Sequence, residues 1–79
     1  MGKPIIINGK KKVLQLSIDD VSVNIYIDNG EQEPTHVAYW HLEEVEEDAS
    51  VGMAMINAVH LYHTDPQELI DRLRVFRVE

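Results

Sequence analysis

The sequence predicts an α+β domain: an antiparallel four-stranded sheet in ββββαα order, with one main helix and a shorter C-terminal helix packed on one face. Three observations lead there. Apolar and polar residues alternate through the first half of the chain, which is the two-residue period of a strand. Turn-forming residues interrupt that alternation too often to leave room for crossover helices, so the strands run antiparallel. Beyond Leu42 the apolar spacing lengthens to three and four residues, the period of a helix packed on a core.

The first strand covers about residues 4–7 and ends at Asn8-Gly9, a pair suited to the positive φ angles of a tight hairpin turn. A two-residue loop pairs Ile7 with Lys10; a four-residue loop pairs Ile7 with Lys12 and Ile5 with Leu14. The second strand covers about 12–18 and the third about 21–27. A tight Asp19-Asp20 turn between them pairs Ile18 with Val21, Leu16 with Val23 and Leu14 with Ile25, and gathers the strong apolar residues on one face.

A polar, turn-rich stretch from Asp28 to Thr35 precedes a fourth strand over about 36–42. Its Ala38, Trp40 and Leu42 point inward. Val37, Tyr39 and His41 point outward, on a face that also carries Val13 and Tyr26 and is more apolar than solvation requires. The acidic run Glu43 to Asp48 leads into the main helix, about 49–63, because negative charge is favoured at a helix N-terminus. Val51, Ala54, Met55, Ala58, Val59 and Tyr62 have the spacing of its core-facing stripe.

Asp65 and Pro66 are a start signal for the second helix, about 66–76, with Asp65 as the cap, Pro66 at the first helical position and Glu68 placed for a capping box. Leu69, Ile70, Leu73 and Phe76 share one helical face. Val75 to Val78 also fits a short last strand.

At 79 residues, with 44% hydrophobic and 27% charged, the chain suits one folded domain. In a domain this small the entropy of ordering nearly cancels apolar burial, so self-association is a natural source of added stability. There is no cysteine, which excludes disulfide staples, thiolate metal ligands and cysteine nucleophiles and fits a reducing, cytoplasmic setting. No apolar run approaches the roughly 20 residues that span a bilayer, so no membrane association is expected.

Charge falls in blocks. Residues 1–18 carry Lys3, Lys10, Lys11 and Lys12 without an acid, whereas residues 19–48 carry ten acids without a Lys or Arg; the whole chain is net −7. Nucleic-acid binding draws on clustered cations, so direct binding to DNA or RNA is not expected. The acidic residues Glu43, Glu44, Glu46, Glu47 and Asp48 either solubilise the domain or dock on a basic protein surface. The lysines at the first turn protect a sheet edge against unwanted pairing.

The back of the main helix is the more unusual feature. It carries Met53, Ile56, Asn57, His60 and His63, and no Lys, Arg, Asp or Glu occurs from Ala49 to Thr64. Met53 and Ile56 are poor choices for a face left in water. His60 and His63 stand three apart on a helix with Asp65 just beyond, a thin candidate for a metal site, since three ligands of a tight site normally need further support. Ser17, Ser22 and Ser50 lack a nucleophile elbow and Gly52 alone makes no phosphate loop, so neither a catalytic group nor a cofactor is expected. The sequence therefore points to a small acidic, non-catalytic protein-binding module, an inhibitor or regulator acting through its acidic edge and uncharged helix face, with a protein partner or self-association as a homodimer. The alternatives are a structural homo-oligomer, or a histidine-based metal-binding protein.

Overall fold

In the computed structural model, which describes residues 2–28 and 33–73, four strands are followed by three helices. The strands are β1 (Lys3–Ile7), β2 (Lys10–Ile18), β3 (Ser22–Asp28) and β4 (Thr35–His41). They form one antiparallel sheet in the order β1-β2-β3-β4. The helices are α1 (Leu42–Glu47), α2 (Ala49–Thr64) and α3 (Pro66–Leu73). The α+β class and antiparallel sheet are as the sequence predicts; α1 is an addition to it, and it takes Leu42 out of the fourth strand. Residues 74–79, where the predicted end of the last helix and the alternative last strand fall, lie outside the described residues.

Asn8 and Gly9 close the β1-β2 hairpin as a two-residue loop, with φ of 52° and 77°. Ile7 pairs with Lys10 and Ile5 with Lys12, which settles the register. The β2-β3 register departs from expectation: Ile18 pairs with Val23, Leu16 with Ile25 and Leu14 with Ile27. The cause is local. The Asp19 carboxylate accepts from the Val21 and Ser22 N–H groups at 2.9 and 2.8 Å, and the Asp19 N–H donates to the Ser22 carbonyl at 3.0 Å. The turn is therefore centred on Asp20 and Val21, one residue later than predicted, and the pairing moves by two. A shift of two keeps every side chain on its face, because the pleat repeats every two residues.

A bulge in β4 makes a second difference. Ile25 pairs with Ala38 while Tyr26 pairs with His36, so Val37 is the extra residue. Two consecutive positions then lean the same way, and Val37 packs against the core with Ala38 and Trp40 rather than standing on the outer face.

The core lies between the sheet and the α2-α3 pair: Ile5, Ile7, Leu14, Ile25 and Ile27 from the strands meet Ala58, Tyr62, Leu69 and Ile70 from the helices. The Tyr62 hydroxyl donates to the Leu14 carbonyl at 3.3 Å, tying α2 to the centre of β2. On α2 the inward stripe includes Ala58 and Tyr62, with Val51, Met55 and Val59 half-buried. Ala54 is exposed, contrary to its predicted core place, and the buried Gly52 lies against Val45 of α1 instead. Gly52 and Ala54 fall on opposite flanks of the inward stripe, and α1 covers the Gly52 side. No described helix is long and apolar enough to cross a membrane.

Candidate interaction surface

Asp48 separates α1 from α2 and shapes the surface around them. Its N–H donates to the Glu44 carbonyl at 2.9 Å, closing α1. Its carboxylate accepts from the Ser50 N–H at 2.9 Å and the Ser50 hydroxyl at 2.7 Å, capping α2. The Ser50 hydroxyl, then the Ser50 N–H, hold the Asp48 carboxyl below the usual carboxylate range. The other end of α1 is capped by His41, whose Nδ1 accepts from the Glu43 N–H at 3.3 Å. These two caps turn the chain between β4 and α2 in a single short helix and place Glu43, Glu44, Glu46 and Glu47 in solvent. Arg72 pairs with Glu68 on α3, and none of these four carboxylates meets a cation among the described residues.

The structure places all five predicted residues of the α2 back, Met53, Ile56, Asn57, His60 and His63, on its exposed side. Met53 and Ile56 retain 62% and 61% of their surface. Their exposure follows from the helical period, since the residues that reach the sheet, Ala58 and Tyr62, lie on the opposite side of the helix. The α2 back is thus uncharged and partly apolar, and it continues through Asp48 into the acidic surface of α1.

The metal candidate does not assemble. The Asp65 carboxylate accepts from the Glu68 N–H at 3.2 Å and so caps α3; no group of three His, Asp or Glu side chains converges among the described residues. His63 packs edge-on against the Tyr62 ring, with centroids 5.1 Å apart. The predicted capping box is half formed, since the Glu68 carboxylate turns forward to Arg72 Nε at 2.8 Å.

Two features escape a reading of the sequence. Gln67, on α3, reaches the outer edge of β1: the Ile6 N–H donates to its Oε1 at 2.8 Å and its Nε2 donates to the Ile6 carbonyl at 2.9 Å. A shallow groove lined by Pro4, Ile5, Ile6, Lys11 and Gln67 runs beside this contact. Its one signal in the sequence is Pro4, a residue that strands tolerate chiefly at a sheet edge. The second feature is Ser22, only 4% exposed, whose hydroxyl donates to the Asp19 carboxylate and accepts from Asn24 Nδ2 at 3.0 Å.

Set beside protein-family models, curated proteins and solved structures, the chain matches none of them.

Proposed function

We propose that this protein is a small, non-catalytic protein-binding module whose contact face is the back of α2, centred on Met53 and Ile56, with the carboxylates of α1 as a flanking acidic rim. The observation that carries the reading is the exposure of these two large apolar side chains, 62% and 61%, on a 16-residue helix without a charged residue. A helix face in water normally carries Lys, Arg, Glu or Asp, and a surface depleted of charge with an apolar centre has the composition of an interface core. Glu43, Glu44, Glu46, Glu47 and Asp48 give the partner its chemistry: a basic protein surface surrounding an apolar patch, drawn in by complementary charge.

The test is capture from the source proteome with the full chain, followed by affinity measurement on whatever protein is retained. Met53→Glu with Ile56→Lys should weaken binding about thirtyfold or more, the scale of losing a central hot spot of about 2 kcal/mol. Glu43→Lys with Glu47→Lys should slow association and flatten its dependence on salt. A partner indifferent to both pairs of substitutions defeats the reading.

A further inference from the structure

We infer that the outer edge of β4 is a self-association surface, on which a second copy of this chain adds its own β4 antiparallel, about a two-fold axis at Tyr39, to join two four-stranded sheets. This is independent of the α2 face, which lies on a different part of the molecule.

The two edges of the sheet are treated differently. On β1, whose closing pair is Ile7 with Lys10, the main-chain groups of Pro4 and Ile6 point away from β2. Pro4 has no N–H, and Gln67 occupies both groups of Ile6. That edge offers no free outward N–H from Lys3 to Ile7 and keeps the Pro4 carbonyl as its one outward acceptor. On β4, the Leu42 N–H donates to the Val21 carbonyl at 2.9 Å, which sets the phase of the ladder: Trp40 and Ala38, opposite Val23 and Ile25, turn their main-chain groups inward. Tyr39 therefore turns both its N–H and its C=O outward. Among the described residues none pairs with that edge, and the Tyr39 side chain is 56% exposed.

The side chains do not defend this edge. From Thr35 to His41 there is no Lys, Arg, Asp, Glu, Pro or Gly, the residues that ordinarily blunt an edge strand. The bulge at Val37 shortens the usable stretch to the His41 end, which keeps the pairing short and centres it on Tyr39.

Self-pairing is favoured over another occupant by complementarity. One donor and one acceptor on Tyr39 match the same two groups on Tyr39 of the second copy, so a two-fold axis satisfies both at once. No like charges meet across that axis. The same alignment brings the His36 end of one strand to the end of β4 in the other, where α1 begins at Leu42. With β4 as the edge left open among the described residues, the assembly closes at two and does not grow into a fibre.

Sedimentation equilibrium of the full chain from micromolar to millimolar concentration provides the test. The expected result is a monomer-dimer equilibrium with no larger species. Because the Tyr39 N–H points away from β3, Tyr39→Pro removes no bond within the sheet, and it should weaken the dimer at least about tenfold. Tyr39→Lys, which sets like charges against each other across the axis, should do the same and guards against a proline that disturbs the strand. Ile56→Lys on α2 should leave the dimer unchanged. A strict monomer throughout, larger oligomers, a dimer that survives both Tyr39 variants, or one dissolved by Ile56→Lys would each overturn the inference.

Discussion

The side-chain amide of Gln67 pairs with the backbone of Ile6 as a strand would, its Oε1 accepting at 2.8 Å and its Nε2 donating at 2.9 Å across 61 positions of sequence. One residue of α3 thus substitutes for a missing neighbour of β1. Gln67→Ala should cost no more than about 1 kcal/mol, because the freed groups reach water, and should speed exchange of the Ile6 amide about fivefold. It also opens a second edge, so oligomers larger than a dimer should appear with rising concentration. Hydrogen exchange and sedimentation read the two effects separately.

Tyr62 is 3% exposed, and burial raises its hydroxyl above the ordinary value of 10.0. A raised value in the folded state means that the associated stability is present below pH 10 and is lost as pH rises through the folded value. Tyr62→Phe deletes the bond to the Leu14 carbonyl and should cost about 1 kcal/mol at neutral pH, yet flatten the loss of stability above pH 10. Urea unfolding of both proteins at pH 7 and in strong alkali checks this. An equally steep alkaline loss in the variant would place the titrating group elsewhere.

Asp19 and Asp48 work in the opposite direction. The N–H groups of Val21 and Ser22, followed by the Ser22 hydroxyl, hold the Asp19 carboxyl below its ordinary 3.8, and Ser50 does the same for Asp48. Depressed values mean stability that is present above the unfolded carboxylate range and lost as pH falls through the folded values. Acid unfolding below about pH 4 should therefore be less steep in Asp19→Asn with Asp48→Asn, whose stability at pH 6 is already lower.

Two glycines should respond with opposite signs. Gly9 has φ of +77° and open space within 4 Å of where a methyl would stand, so Gly9→Ala costs only the strain of a left-handed backbone, about 1–2 kcal/mol. Gly52 lies inside α2, where a methyl would sit 3.4 Å from Val45 Cγ1 in ordinary contact. Gly52→Ala should then stabilise the domain by up to about 1 kcal/mol through helix propensity. Thermal or urea unfolding decides both.

The helix back is legible in the sequence because it depends on one local variable. Once residues 49–64 are helical, the 3.6-residue period separates Met53, Ile56, Asn57, His60 and His63 from Ala58 and Tyr62. Ala54 is misplaced by the same reasoning because it stands at the margin of the apolar stripe, where the helical period alone does not say how far the packed elements reach, while α1 goes unread because its run of Leu42 to Glu47 is too short for a periodic signal. The β2-β3 turn falls one residue later than its propensities suggest because Asp19 directs its carboxylate to Val21 and Ser22, a choice that turn propensities do not rank.

From the sequence alone came the order of the four strands with α2 and α3 after them, the Asn8-Gly9 turn, the start of α3 at Asp65 and Pro66, and the uncharged back of α2. All are set by interactions within a few residues: backbone sterics, capping and the period of apolar side chains. The tertiary structure decided which edge of the sheet is closed by Gln67, that Val37 joins the core through a bulge, and that Tyr39 turns its main-chain groups outward. These depend on register and on contacts between distant segments, where a shift of one or two residues costs little locally but changes which groups face a neighbour and which face the outside.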